Sequence, residues 1–393
     1  FYKNQITSIG IIMKLKPDFQ ERDIRYNRIR TAMKEEGLHA LIVAASAGQF
    51  TRGNIRYLAD AHLWAGHGLI LFPLESDPMY VQLSSASSGV PDPLWIADYR
   101  RSPTLQRTVG EAMKEKSITK GKVGLVGYES IMTVGQGAEF VESFPHIEFV
   151  NADLLMDKVR AIKSPLEIAQ LKDVWKVSVE ALDNFANNLQ PGISQREAAS
   201  AAASVFRRAG CWDDMNIIAE GSSKGLPKDI ALKCNDLISF HLEICGEYGQ
   251  WSEVNTVCAF RDPSKEEQRL LSAELKAHQA ICSAAKPGIT LAGLGKVFSE
   301  VIQQEGFVLA PPEWHHFFHG QGLDAVEWPF YSDMGIDNKD APLEAGMVLS
   351  YHPHRDTVPL IPNRPAVFDG LIITNEGAER LNPDFNMSWR IMN

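Results

Sequence analysis

Charged and apolar positions alternate along residues 21–38 at helical spacing. Glu21, Arg22, Arg25, Arg28, Arg30, Lys34, Glu35 and Glu36 form a wet face, Ile24, Ile29, Met33 and Leu38 an inner one, and Gly37 supplies the stop. The next stretch, Ala40 to Ala44, is a short apolar run closed by small polar residues, which predicts a buried strand. Further short runs at Gly68–Phe72, Pro78–Leu83, Val123–Val126 and Ile147–Val150 predict more strands, with a helical stretch at Leu105–Lys116 between them. Together they describe a small α/β domain of about 150 residues.

A second pattern follows. Met156 to Lys163 is basic and interfacial, and Ser164-Pro165 is a natural helix start. Leu171, Val174, Ser178, Leu182, Phe185 and Leu189 then recur at steps of three and four until Pro191-Gly192. Ser194 with Glu197 predicts a capped helix running to Ala209. Strands are expected at Leu237–Ile244 and Trp251–Phe260, helices at Glu266–Ala285 and from Thr290 to Glu305, and a strand-rich end thereafter. The expected division is 14–155 and 156–393.

Composition narrows the function classes. Acidic residues outnumber basic ones, 49 to 39, giving a formal charge of -10 that opposes a broad hold on phosphate backbones, so nucleic acid is not expected as a partner. Apolar runs such as Gly68–Pro73 fall far short of the roughly 20 residues of a membrane helix, so no membrane partner is expected. Cys211, Cys234, Cys245, Cys258 and Cys282 show no CxxC spacing, and their odd number leaves one unpaired; reduced thiols of a cytoplasmic protein are expected. Phe1–Ile12 lacks the basic and apolar regions of a signal peptide, and none is expected.

Candidate chemistry concentrates late in the chain. Seven of the eleven histidines lie beyond residue 240. His241, His319 and His352 stand in strand or tight Gly/Pro settings, accompanied by Glu243, Glu253, Glu327 and Asp356. Imidazoles and carboxylates brought together from several strands can exchange protons near neutrality or jointly hold a divalent ion.

One segment goes further. His319-Gly320-Gln321-Gly322-Leu323, followed by Glu327-Trp328-Pro329, resembles the GHGIGLxxHExP signature of the creatinase and aminopeptidase P superfamily. Arg160-Ala161-Ile162-Lys163-Ser164, Pro191-Gly192, Asn235-Asp236-Leu237, Leu343 to Leu349 and Thr374-Asn375-Glu376-Gly377 resemble further landmarks of that family, in order. The resemblance implies an α+β protein: a creatinase-type N-terminal α/β domain ahead of a pita-bread catalytic domain of curved antiparallel sheet flanked by helices. It also implies a homodimer in which the small domain of one subunit reaches toward the catalytic pocket of the other.

Metallopeptidases of the superfamily bind two metals through Asp, Asp, His, Glu and Glu. On this chain the matching positions are His241, Glu253 once one extra residue is allowed, His319, His352 and Phe368, so only the histidine is retained as such. Asp369 matches the neighbouring Asp of the family's Glu-Asp pair. With the bridging acids largely gone, the expectation is chemistry without metal or other cofactor, as in the creatinase branch: hydrolysis of a C–N bond in a small polar amide, amidine or amidino acid. The residues expected to carry it are His241, Glu253, His319, Glu327 and His352. His241 or Glu253 would activate water, His319 or His352 would protonate the departing nitrogen, and Glu327, matching the HExP glutamate, would bind an N–H or shuttle the proton.

Substrate contacts are expected from Lys228 and Asp356, the lysine as a clamp for a substrate carboxylate or as a base if buried, and from Arg56, His62, Trp64 and His67 of the first domain, near Asn54-Ile55-Arg56-Tyr57-Leu58, which resembles the family's NxxYLTG stretch. A small, carboxylate-bearing substrate fits that set. One alternative is a metal-dependent hydrolase of the Xaa-Pro peptidase type, or a lyase, with one ion such as Zn, Fe or Ni on His241, Glu253, His319 and His352. Another is a binding protein of this fold without catalysis.

Overall fold

The computed structural model describes residues 18–63, 65–83, 95–220, 223–235, 237–311, 318–331, 338–353 and 367–392. Trp64 and Asp356 lie outside the described residues. The chain forms two compact units: one comprises the chain up to Ala47 with Asn54–Asp153, the other Gly48–Gly53 with the chain from Leu154 onward.

The first unit is built from α1 (Phe19–Glu35), β1 (Ala40–Ser46), α2 (Gly53–Ala59), β2 (His67–Pro73), β3 (Met79–Leu83), β4 (Asp98–Ser102), α3 (Leu105–Glu115), β5 (Gly121–Val126), α4 (Val134–Ser143) and β6 (Ile147–Asn151). Its strands form one mixed sheet in the order β4-β3-β2-β1-β5-β6. The apolar runs read from the sequence are β1, β2, β3, β5 and β6, and Ala40, Ile42, Ala44, Leu69, Leu71 and Val123 pack against α3 and α4.

The second unit opens with α5 (Asp153–Ala161), α6 (Pro165–Asn187) and α7 (Gln195–Arg208), continues through β7 (Asp213–Glu220), β8 (Ser223–Gly225), β9 (Ile238–Cys245) and β10 (Trp251–Ala259), and then α8 (Lys265–Ala284) and α9 (Leu291–Gln304). It ends with β11 (Phe318–Gly320), β12 (Glu327–Tyr331), β13 (Val348–Tyr351), β14 (Asp369–Ile373), β15 (Ala378–Arg380) and β16 (Arg390–Ile391). Two five-stranded sheets result, β16-β10-β9-β7-β8 and β12-β11-β13-β14-β15. The second unit is thus a helix-flanked, largely antiparallel α+β domain, as the resemblance implies. No helix among the described residues is long and apolar enough to cross a membrane, and all five cysteines are free thiols.

Local chemistry sets the helix starts. Ser164, Ser194 and Ser264 each accept a hydrogen bond from the backbone N–H three residues on, while Glu167, Glu197 and Glu267 accept in return from the cap N–H; Pro165 adds a preset φ at the start of α6. Strand alternation then sorts the faces of β9. Ile238, Phe240, Leu242 and Ile244 enter the core under α6 and α7, where the Phe240 ring stacks on Phe185 at 4.1 Å. His241 and Glu243 therefore share the opposite face. The antiparallel register sets Glu243 across from Glu253 of β10. In the other sheet, His319 of β11 lies across from Ser350 of β13.

Beneath the turn from β11 to β12 sits a buried ion network. Glu327 accepts hydrogen bonds from Arg160, from Lys163 Nζ at 2.9 Å, and from the backbone N–H groups of Leu323 and Asp324 at 2.7 and 3.2 Å. Arg160 also donates to Asp324 at 2.8 Å, and the Gly53 N–H donates to Asp324 at 2.7 Å. A Cβ on Gly53 would stand 2.3 Å from the Arg160 guanidinium, so the backbone approach requires glycine. Burial alone would raise the Glu327 pKa, yet the charges of Arg160 and Lys163 outweigh it and hold the carboxyl at about 2, against an ordinary 4.5.

A depressed folded-state pKa stabilises the protein above pH 4.5, and that contribution is lost as pH falls toward 2. Glu327→Gln is expected to cost about 3 kcal/mol at pH 7, with the gap to the wild type closing between pH 4.5 and 2. Urea unfolding across that window measures it; a gap independent of pH would contradict the ion-pair account.

Candidate metal centre

The second unit places one carboxylate among three imidazoles. Glu253 is buried in β10, and its Oε2 lies 3.0 Å from His319 Nε2 and accepts a hydrogen bond from the Ser350 hydroxyl at 2.6 Å. Its Oε1 lies 3.5 Å from His352 Nδ1 and 3.6 Å from His241 Nε2. The His319 and His352 rings meet edge on, 4.8 Å between centroids. His241 Nε2 also lies 3.0 Å from Glu243 Oε1. Sequence positions from 241 to 352 thus converge because β9 and β10 of one sheet and β11 and β13 of the other present their polar faces to the same point.

The electrostatics follow from that crowding. Burial would raise the Glu253 pKa, but the charge of His352, the hydrogen bond and charge of His319 and the charge of His241 hold it well below the ordinary carboxylate range. Glu243 moves the other way: burial first, then the negative charge of Glu253, raise its pKa. For His319 burial would lower the pKa, and the hydrogen bond and charge of Glu253 overcome it and raise it. The orientation of the His319 ring is fixed from behind. Its Nδ1 lies 2.7 Å from the Gly320 carbonyl, which can only accept, so Nδ1 carries the proton and Nε2 faces Glu253.

Of the expected site residues, His241, Glu253, His319 and His352 come together. Glu327 stands apart from them, paired with Arg160 and Lys163 in the network under the β11–β12 turn, whose charges hold its carboxyl at about 2. Lys228 has an exposed side chain, so it lacks the burial that a base role requires; its backbone is tied to Gln195 and Arg196 at the start of α7. Arg56, His62 and His67 belong to the first unit, where Arg56 pairs with Asp60 at 3.7 Å and His67 opens β2 across from Ser46. Trp64 and Asp356 lie outside the described residues. Glu243, noted beside the histidines but given no role, and Ser350, not singled out, also belong to the site; Ser350 was legible from its two-residue spacing to His352.

Phe368 and Asp369 settle the remaining family positions. The Phe368 ring packs against His241 and His352, with centroids 5.4 and 5.5 Å away. Asp369 is fully buried and engaged elsewhere, by His278 Nε2 at 2.8 Å, by Arg380 and by the Gly370 N–H. It does not replace the lost carboxylate.

The donor set suits a metal ion. Two groups each bring three ligand atoms within 4.8 Å of one another, Glu253 with His319 and His352, and Glu253 with His241 and Glu243. Imidazole nitrogens combined with carboxylate oxygens favour a late first-row transition ion over Mg or Ca.

Comparison with known proteins agrees. The profile of metallopeptidase family M24 matches residues 169–379, and that of the creatinase/prolidase N-terminal domain matches residues 25–162. An uncharacterized peptidase of Staphylococcus aureus (strain MW2) is 28% identical over 256 residues, 64% of this chain and 70% of the relative. Among solved structures, an X-Pro aminopeptidase from Thermotoga maritima MSB8 superposes with a TM-score of 0.74 at 18% identity, covering 92% of this chain and 100% of that one. An Xaa-Pro dipeptidase from Bacillus anthracis gives 0.73 at 20% identity over 94% and 100%. A prolidase from Pyrococcus horikoshii OT3 gives 0.71 at 20% identity over 91% and 97%. These likenesses show the fold.

The expectation of chemistry without a cofactor is therefore corrected. The matching family is one of metallopeptidases, and the imidazoles that replace its acids are groups that could hold an ion, gathered on Glu253 within 4.8 Å. With its catalytic profile covering more than half of the chain, behind a creatinase/prolidase N-terminal domain, the protein belongs to metallopeptidase family M24.

Proposed function

We propose that this chain is a metal-dependent hydrolase of short peptides of the Xaa-Pro type, with one transition-metal ion held by Glu253, His319 and His352. The observation that carries the reading is the convergence of two imidazoles on one buried carboxylate, within 4.8 Å, in a chain of a metallopeptidase family. Relatives whose names or titles describe peptidases, Xaa-Pro dipeptidases and X-Pro aminopeptidases support the substrate class.

An ion bound there would supply Lewis-acid polarisation of the amide carbonyl and a more acidic water. The chain's own residues do the rest. The Gly320 carbonyl holds the His319 ring so that Nε2 faces Glu253, and the Ser350 hydroxyl fixes Glu253 Oε2. Amide hydrolysis requires a proton to leave water and reach the departing nitrogen. Glu243, with a raised pKa and His241 at 3.0 Å, is suited to accept that proton and pass it on. Glu327 with Arg160 and Lys163 keeps the strand turn after His319 in place.

Protein purified without added metal is expected to contain close to one transition-metal ion per chain by elemental analysis. Chelation should abolish hydrolysis of an Xaa-Pro dipeptide panel, and the ion alone should restore it. Undiminished turnover by protein shown to be metal-free would contradict the proposal. Ser350→Ala is expected to weaken ion binding about 10- to 100-fold in a competition titration, with the circular dichroism spectrum unchanged; unchanged affinity would remove Ser350 from the account.

A further inference from the structure

We propose that Phe368 fixes the metal stoichiometry of this site at one, leaving His241 and Glu243 free of metal. The inference rests on the metal-dependent reading above and goes on to the question of why a second ion does not join the first.

Both potential ligand groups use the same carboxylate, Glu253. Two cations about 3.5 to 4 Å apart repel strongly, and paired sites overcome this with bridging acids. Among the described residues the cluster contains two carboxylates, Glu243 and Glu253, both buried. With neutral imidazoles, one divalent ion is balanced by those two charges. A second ion would leave two positive charges uncompensated in a buried, partly apolar pocket, which is strongly unfavourable.

The wall of that pocket is Phe368, 8% exposed, its ring against both His241 and His352. It stands where a third carboxylate would serve both ligand groups, and a phenyl ring offers no donor. Nor can the adjacent residue supply one. Asp369 is fully buried and bonded to His278, Arg380 and the Gly370 N–H, and the strand pairing of β14 with β13 sets it across from Tyr351. Asp324 and Glu327 are already matched by Arg160 and Lys163.

The test is the number of Co(II) or Zn(II) ions bound at saturation, read by native mass spectrometry and by titration calorimetry. Wild-type protein is expected to take one ion, Phe368→Glu two, and Phe368→Gln one, since the glutamine has the length of the glutamate without its charge. Two ions in the wild type, or one in a folded Phe368→Glu variant, would overturn the inference while leaving the metal-dependent reading intact. Two ions in Phe368→Gln would overturn the charge argument and the inference with it. No ion in the wild type would instead overturn the metal-dependent reading itself. Should Phe368→Glu fail to fold, the wild-type and Phe368→Gln titrations decide.

Discussion

The organisation of the second unit depends on a buried carboxylate held between three imidazoles. Taking Glu253 out of water is costly, and the structure tolerates it because His319, His352 and His241 surround its two oxygens while Ser350 donates to one of them. Those partners come from both sheets, so the sheets must stand at fixed separation and register for the charge to be satisfied. The apolar layers on their far faces, with Phe240 stacked on Phe185 on one side and Phe318 and Tyr351 packed together on the other, set that register. The site and the core are two faces of the same strands.

A second ionic cluster divides the labour. Arg160, Lys163, Asp324 and Glu327 are all buried and mutually paired, and they lock the chain just after His319. Functionally suggestive residues can thus be anchors. Glu327 carries a family motif, yet four donors and a strongly depressed pKa hold it ionised, whereas Glu243, outside any motif, has the raised pKa that suits proton transfer.

Much of this was legible in the sequence where the physics is local. Ser164-Pro165, Ser194 with Glu197 and the alternation in Leu237–Ile244 announced α6, α7 and β9, because capping and strand period depend only on near neighbours. The convergence of His241, His319 and His352 was also readable, through the strand settings of each. What escaped was non-local. α2 is only seven residues long and begins at Gly53, while β7 opens with Asp213-Asp214-Met215-Asn216 and has only the short run Ile217-Ile218-Ala219 to mark it. The polarity of the β14 start was equally hidden: whether Phe368 or Asp369 faces the site depends on strand pairing across to Tyr351. The metal-free expectation failed for a related reason. The donor set that could hold an ion is assembled by the fold and includes imidazoles as well as acids, so the loss of acids at matched positions does not remove it.

A crystal structure recorded at the absorption edge of the metal retained on purification tests the central claim most directly. The account predicts one anomalous peak at bonding distance from Glu253, His319 and His352, with the Phe368 ring against His241. An empty cluster in active protein, or a peak bound away from Glu253, would contradict it.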